Sequence, residues 1–559
     1  MASGTTIKTL VIGVDGGTFS LIRPLADAGR LPTFARLMRE GSWGELRSTV
    51  PPVTAPSWVS FQTGKNPGKH GVFGFVSSPS AGYERKVLSA ASIKARTAWN
   101  LLSRAGRRVG ILNLPFTYPP EEVNGFVVPQ PPGFVPKDRV FSHPPELASL
   151  LAREVPEFFQ GIDYLRYWFT DEKDEFLAAL KRGVEATRRA ASVLMERHEL
   201  DVLVVTVIMT DPVQHFFWKY MDESHPAHDP VLRDKYGEAI HEVYEATDRL
   251  MGDLIERMGS ETNVIVVSDH GFGPNTKAVS LNQWLRDLGL LKVKKKAAPL
   301  VKWRLPFPAY GWLRKLGVPY LDPIVLRQIN ADRRVVDGRM GLSISAVIDW
   351  SRTRAFAGHR SEQGIFLNVR GREPLGIVEP GQEYEELRAV LEAELHQLRD
   401  PDDGGKLVDQ VWRPGDLYHG EYTDEAPDIT FMMRGYEYKA NEFIHGSRVV
   451  EVERWHTGTH RLDGILLLCG PTIRQGIKMK KSDMTDVAPT LLYLAGVPIP
   501  EDMDGRVLTE AVSPEYLSRY PVERSRPDVA PSAREDEQVF SEDEEAAVRK
   551  RLKGLGYVG

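Results

Sequence analysis

The stretch TLVIGVDGG, residues 9–17, decides the fold of this 559-residue chain. A short apolar run is followed at once by an aspartate and two glycines, which is typical of a strand buried on both faces that ends in a tight turn. Two similar runs, VLVVTV at 202–207 and VIVV at 264–267, are each followed within four residues by another aspartate. The pattern predicts buried parallel strands that carry carboxylates just beyond their ends.

Strand-like and helix-like segments alternate between residues 7 and 130 and again between 201 and 290. Alternation of this kind indicates an α/β fold, with a mostly parallel central sheet flanked by helices. Ligands of such sheets bind beyond the carboxyl ends of the strands. We therefore expect side chains that are far apart in sequence to converge on one crevice.

Composition narrows the class of protein. Hydrophobic residues make up 42% of the chain and charged residues 26%, which is typical of a soluble protein with a sizeable core. The net charge is −5, so no basic field favours nucleic acid as a partner. Cys469 is the single cysteine, which excludes an internal disulfide and a thiolate metal cluster. The polar N-terminus and the lack of a long apolar run predict a cytoplasmic protein without a transmembrane segment.

The pattern also predicts how the chain is divided. Residues 1–285 and 351–512 are expected to form one discontinuous catalytic core. The segment 286–350 interrupts it with lysines, arginines, aromatic residues and prolines, and is predicted to be a helical, basic cap insertion. This insertion is either a solvated face or a contact for an anionic substrate or membrane surface. Residues 513–559 are rich in Pro, Ser and acidic residues, which predicts a mobile tail with a short terminal helix near Glu544–Leu555.

Six residues of metal-binding type lie just after the predicted strands or in glycine-rich turns. They are Asp15, Asp211, His215, Asp269, His270 and His460. Three carboxylates and three imidazoles suit Zn²⁺, with Mn²⁺ or iron as alternatives. Two metals about 4 Å apart can hold the attacking and leaving oxygens of a displacement at phosphorus. Each residue alone also fits a plainer role, as a helix cap or a satisfied loop histidine, and His456 and His359 are spare candidates.

Thr54 is the candidate nucleophile. It lies in the sequence PPVTAPSW at 51–58, where the prolines predict that a helix begins beside its hydroxyl. Free N–H groups at a helix N-terminus favour anions, and a metal can activate a threonine hydroxyl. The alternative is an ordinary helix cap.

Six motifs in order resemble those of the type I phosphodiesterase/nucleotide pyrophosphatase family of the alkaline phosphatase superfamily. They are VDG at 14–16, TAPS at 54–57, TG at 63–64 with HG at 70–71, DPVQH at 211–215, DHG at 269–271 and GTH at 458–460. The resemblance covers about residues 7–508. It implies an alkaline-phosphatase-like fold and hydrolysis of a phosphodiester or pyrophosphate bond in a small phosphoester, such as a nucleotide or an anionic headgroup.

The same resemblance implies roles for the site residues. One zinc would be bound by Asp211, His215 and His460, and the other by Asp15, Asp269 and His270. Thr54 would bridge toward both metals and carry a phosphothreonine intermediate.

The chain departs from the family pattern at one position. Phe75 takes the place of an asparagine that holds a phosphate oxygen in the nucleotide pyrophosphatases, and Lys65 and Lys69 are candidates to substitute for it. A formylglycine sulfatase is excluded, because Thr54 stands where cysteine or serine is required. Two alternatives stay open: a hydrolase of monoesters, phosphonates or lipid headgroups, and a metal-stabilised binding or regulatory protein with little turnover.

Overall fold

A nine-stranded sheet runs through the computed structural model, which describes residues 8–131, 140–169, 171–294, 347–359, 362–442, 444, 449–527 and 539–558. Its strands and those of four smaller sheets are β1 Lys8–Val14, β2 Ser42–Arg47, β3 Val109–Leu112, β4 Gly125–Val128, β5 Val202–Val207, β6 Thr262–Val267, β7 Gly271–Pro274, β8 Lys277–Ser280, β9 Ala355–Ala357, β10 Gly364–Leu367, β11 Val408–Trp412, β12 Ile429–Met433, β13 Tyr438–Asn441, β14 Val450–Val452, β15 Gly458–Arg461, β16 Asp463–Cys469, β17 Ile477–Lys478, β18 Ser482–Asp483, β19 Ile499–Pro500 and β20 Arg524–Ser525.

Helices flank the main sheet on both faces. Those in the described residues are α1 Phe19–Asp27, α2 Pro32–Glu40, α3 Thr54–Thr63, α4 Pro67–His70, α5 Ala98–Arg104, α6 Glu146–Glu154, α7 Tyr164–Phe169, α8 Lys173–Met195, α9 Thr210–Met221, α10 Pro230–Tyr236, α11 Ala239–Met258, α12 Leu281–Asp287, α13 Gln382–Gln397, α14 Pro414–Leu417, α15 Val487–Leu494, α16 Pro514–Arg519 and α17 Glu542–Gly554. None of these helices has the length and apolar character needed to cross a membrane.

The main sheet has the order β17-β2-β16-β6-β1-β5-β3-β4, with β18 also paired to β2. The three apolar runs lie side by side at its centre, since β1 pairs in parallel with β5 on one side and with β6 on the other. Strand β16 is antiparallel to both of its neighbours. The predicted α/β fold with a mostly parallel central sheet flanked by helices is confirmed.

Strand β1 shows why these runs are apolar throughout. Leu10, Ile12 and Val14 point into one hydrophobic cluster, whereas Val11 points into another on the opposite face. All four side chains are fully buried. A strand covered by helices on both sides has no polar face, so its sequence does not alternate.

The predicted cap at 286–350 lies mostly outside the described residues, which leave out 295–346, and its boundaries stay a prediction. The C-terminal tail differs from what its composition predicts. Its described parts are folded: α16 packs against a hydrophobic cluster through Tyr516 and Leu517, β20 pairs with β19, and α17 packs against α7. Buried Phe540, Leu552 and Leu555 anchor the last part, and these few apolar residues outweigh the polar composition around them.

Helix α2 depends on a capping side chain from another helix. Its N-cap Leu31 has no side chain that can accept a hydrogen bond. Asp248 of α11 takes this role, because its carboxylate accepts the amide protons of Thr33 at 3.1 Å and Phe34 at 2.9 Å. We expect Asp248→Ala to lower the free energy of unfolding by about 2 kcal/mol, since it leaves two buried N–H groups without an acceptor. Urea denaturation checks this, and Asp248→Asn, which keeps an acceptor oxygen, should lose less.

Candidate metal centre

Three carboxylates meet at the carboxyl ends of the central strands. Asp15 follows β1, Asp211 is the second residue of α9 after β5, and Asp269 follows β6 by two residues. All three are buried, with at most 4% of each residue exposed. Gly16 allows the turn after β1, because its φ is 67° and a β-carbon would meet the ring of Phe272. Its N–H group donates to Asp269 Oδ1 at 3.2 Å.

The first group of ligand-type atoms consists of Asp211, His215 and His460. The Nε2 atoms of the two histidines lie 3.1 Å apart. Asp211 Oδ1 lies 3.3 Å from His215 Nε2 and 3.2 Å from His460 Nε2. Ligands at 2.0–2.1 Å from a tetrahedral zinc are separated by about 3.3 Å. The three atoms therefore already have the spacing of one face of a zinc site.

The second group consists of Asp15, Asp269 and His270. His270 Nε2 lies 3.7 Å from Asp15 Oδ1 and 3.2 Å from Asp269 Oδ2. The same histidine also lies close enough to Asp211 and His460 that ligand atoms of the three fall within 4.8 Å of one another. The two groups therefore adjoin, as the ligands of a two-metal centre must.

Backbone carbonyls fix the orientation of all three imidazoles. The Nδ1 atoms of His215, His460 and His270 lie 2.8, 2.7 and 3.1 Å from the carbonyl oxygens of Gly458, Pro52 and Gly271. A carbonyl only accepts, so each Nδ1 carries the proton and each Nε2 presents a lone pair to the centre. Lone pairs of His215 and His460 that face each other repel unless a cation lies between them.

The electrostatics of the cluster also fit cations. Asp15 Oδ1 and Asp269 Oδ2 are buried and have no hydrogen-bond partner among the described residues. Burial and the neighbouring charges of Asp269 and Asp211 raise the pKa of Asp15 well above its ordinary value. Burial also raises the pKa of Asp269 to about 8 and lowers the pKa of His460 to about 4. Divalent metal ions would relieve this arrangement of crowded carboxylates and neutral imidazoles.

Thr54 lies at the edge of both groups as the first residue of α3. Its Oγ1 atom is 3.3 Å from His270 Nε2. Trp58, one turn along the helix, donates to Asp15 Oδ2 at 3.4 Å, and the Ser57 hydroxyl donates to the Asp269 carbonyl at 2.6 Å. These contacts orient the N-terminus of α3 toward the cluster. The structure thus brings Thr54 together with all six residues of metal-binding type.

The two predicted substrate-binding lysines lie elsewhere. Lys65 forms an ion pair with Asp502, and Lys69 with Asp504. Both follow the C-terminal end of α3, whereas Thr54 begins it. The ten residues of α3 span about 14 Å at 1.5 Å per residue, and both lysines lie beyond the end opposite Thr54. The structure does not bring these lysines to the nucleophile.

The two spare histidines also lie outside the two groups. His456 is fully buried and stacks on the ring of His215, with centroids 5.1 Å apart. His359 Nδ1 lies 3.5 Å from Glu442 Oε1, away from the two groups.

Phe75 does reach the centre, and it brings a residue that the sequence analysis missed. Its ring stacks on Tyr557, with centroids 4.6 Å apart. The Tyr557 hydroxyl lies 3.2 Å from Thr54 Oγ1 and donates to Asp211 Oδ2 at 3.1 Å. The available signal was the apolar terminal sequence LKGLGYV at 552–558, which follows a long polar stretch.

A solved structure of the same fold confirms the alkaline-phosphatase-like architecture. Phosphonoacetate hydrolase from Sinorhizobium meliloti, in complex with phosphonoformate, is 15% identical, with a TM-score of 0.50 over 88% of this chain and 95% of that one. Human ectonucleotide pyrophosphatase/phosphodiesterase 5 is 13% identical, with a TM-score of 0.47 over 90% of this chain and 100% of that one. No curated protein sequence matches the chain.

The family model for type I phosphodiesterase/nucleotide pyrophosphatase matches residues 9–463, which include Thr54 and all six residues of metal-binding type. The chain therefore belongs to this family of phosphoric ester hydrolases in the alkaline phosphatase superfamily.

Proposed function

We propose that the protein hydrolyses a phosphodiester or pyrophosphate bond through a covalent intermediate on Thr54, with two zinc ions held by the two ligand groups. The position of Thr54 carries this proposal: its hydroxyl lies 3.3 Å from His270 Nε2, where the two groups adjoin. A residue that only capped α3 would have no need of three carboxylates and three imidazoles around it.

The residues of the chain suggest how the reaction proceeds. Thr54 Oγ1 attacks phosphorus in line with the leaving oxygen, so an O–P bond forms as the bond to the leaving group breaks. The hydroxyl proton passes to water. Water then attacks the phosphothreonine and regenerates Thr54. Zinc, when bound, would lower the pKa of the hydroxyl and neutralise charge on the phosphoryl oxygens.

The N-terminus of α3 supports the same chemistry. The first N–H groups of a helix have no intrahelical acceptor, and Thr54 and Ala55 supply two of them. Such groups favour phosphoryl oxygens, and the helix dipole adds to the effect. The nucleophile and these donors belong to one rigid element, which sets the direction of attack.

Hydrolysis by the zinc-loaded protein tests this function. We expect turnover of bis-p-nitrophenyl phosphate, two zinc equivalents per chain, and a phosphothreonine at Thr54 in acid-quenched samples analysed by mass spectrometry. Faster hydrolysis of p-nitrophenyl phosphate or of a phosphonate would select the alternative hydrolase activity. Zinc binding without hydrolysis of any ester would contradict the proposal and favour a binding role. A cytoplasmic location and a small phosphoester as substrate stay predictions.

A further inference from the structure

The C-terminal segment, defined here as residues 539–558, reaches the active centre from the far end of the chain. Helix α17 begins with a capping box between Ser541 and Glu544. Lys550 forms an ion pair with Asp163 at 2.6 Å, and Arg549 donates to the Arg85 carbonyl at 2.6 Å. These contacts place the segment at a definite position on the body of the protein.

Aromatic and glycine contacts then direct its tip into the centre. Phe540 stacks on Tyr118, with ring centroids 5.7 Å apart. Gly556 has a φ of 75°, and a β-carbon there would overlap the ring of His456. Only glycine combines this backbone conformation with so close an approach. The next residue is Tyr557, whose hydroxyl contacts Thr54 and Asp211.

A cavity of 140 Å³ lies beside Thr54, and the C-terminal segment forms part of its wall. This is on the order of ten water-sized volumes, enough for a phosphoryl group and a small organic group while the segment stays docked. One end of the cavity is lined by Asp15, Thr54 and Asp211. The rest of the wall includes Phe75, Leu88, Phe116, Tyr118, Leu552 and Leu555.

Most side chains of this wall are apolar or aromatic, and Ser89, Thr117 and Gln130 are its uncharged polar members. Arg551 is the one cation among its described residues, and its guanidinium donates to the Pro131 carbonyl. Burial of an apolar group against the surrounding side chains is favourable, whereas a polar sugar or base would lose hydrogen bonds to water.

We propose that Tyr557 is a catalytic residue that donates a hydrogen bond to a phosphoryl oxygen of the substrate, and that Leu552 and Leu555 form one wall of a pocket for its apolar ester group. This inference deepens the proposed function and rests on it. Phosphorus must lie about 3–3.5 Å from the attacking oxygen. The Tyr557 hydroxyl is 3.2 Å from Thr54 Oγ1, so phosphoryl oxygens come within its reach.

The phenol suits this role chemically. Its hydroxyl carries one proton, which it donates to Asp211 Oδ2 in this structure and can turn toward a phosphoryl oxygen when substrate is bound. The bond strengthens as charge grows on the phosphoryl oxygens in the transition state. Phe75 cannot donate a hydrogen bond itself, but its ring holds the ring of Tyr557 in place.

The full-length variant Tyr557→Phe tests the donor, because it removes the hydroxyl and keeps the ring stack. We expect kcat for bis-p-nitrophenyl phosphate to fall about 100-fold, with KM changed less than about threefold. Zinc content should stay at the wild-type value. The matched control is Tyr493→Phe. Tyr493 is buried in the hydrophobic cluster on the other face of the sheet, and its hydroxyl donates to the Tyr520 carbonyl.

The other outcomes either contradict the role of Tyr557 as a hydrogen-bond donor or distinguish its failure from failure of the proposed function. An unchanged kcat in Tyr557→Phe would overturn the donor role. A higher kcat would also overturn it, because it would show that the C-terminal segment blocks the active centre. Loss of zinc in Tyr557→Phe would also overturn it, since the phenol would then act through the metal ligands. If the wild type hydrolyses no ester, the proposed function fails. The donor then stands only if calorimetry shows that the variant binds inorganic phosphate at least tenfold more weakly than the wild type.

Binding of two phosphonates tests the pocket without turnover. We expect the wild type to bind phenylphosphonate at least tenfold more tightly than methylphosphonate. Leu552→Gln should reduce this ratio toward one, because it places an amide in the apolar wall. Ala546→Gln on the exposed face of α17 is the matched control and should leave the ratio unchanged. Equal affinity of the wild type for both phosphonates, or an unchanged ratio in Leu552→Gln, would overturn the pocket assignment.

Discussion

Thr54→Ala is expected to lower kcat for diester hydrolysis by on the order of 10⁴ or more, because it removes the atom that forms the covalent bond to phosphorus. The six residues proposed to hold zinc all remain in this variant, so we expect its zinc content to stay near the wild-type value although the Oγ1 atom is lost. Steady-state kinetics with bis-p-nitrophenyl phosphate and metal analysis of the same samples measure both quantities.

Thr54→Ser is the matched control for this loss. Serine keeps an Oγ atom at the start of α3, so we expect part of the activity and a phosphoserine in acid-quenched samples. If Thr54→Ala retained a tenth of the wild-type kcat, water rather than threonine would be the attacking group. The ligand groups could still be correct, because they do not depend on the identity of the nucleophile.

The part of this centre that sequence predicts is the part that follows from strand ends. Strands β1, β5 and β6 are continuous apolar runs, and parallel strands of this kind end at a common edge of the sheet. Asp15, Asp211 and Asp269 had to converge there once the runs were recognised. His215 followed from its position four residues after Asp211 on one helix face.

Contacts of the C-terminal segment with the centre cannot be predicted from strand ends. Tyr557 lies 503 residues from Thr54, and no strand or helix period connects the two. Composition alone predicts a mobile tail, because polar residues outnumber the few apolar ones that anchor it. Lys65 and Lys69 show the opposite error of prediction. They are close to Thr54 in sequence, but helix α3 lies between them and Thr54. Charge and proximity in sequence therefore did not predict the contacts of the nucleophile, and the one signal for Tyr557 was the apolar sequence at 552–558.

Removal of zinc is expected to abolish hydrolysis and to make the stability of the protein depend on pH. Without metal, burial holds the pKa of Asp269 at about 8, far above its unfolded value near 4. The folded protein then binds more protons than the unfolded chain between these values, so its stability falls as pH rises. His460, with a pKa of about 4, acts in the opposite sense, but only below about pH 6.5.

Between pH 6.5 and 8 the carboxylates therefore dominate. We expect the unfolding free energy of the metal-free protein to fall by up to about 1.4 kcal/mol per pH unit for each carboxyl group whose pKa is raised. The unfolding free energy of the zinc-loaded protein should change little, because its carboxylates are bound as anions. The rise in Tm on adding zinc should thus grow from pH 6.5 to 8. Asp269→Asn, which has no proton to lose, should flatten the metal-free profile. A metal-free protein that is more stable at pH 8 than at pH 6.5 would contradict the raised pKa values of Asp15 and Asp269, and with them the argument that this cluster holds cations.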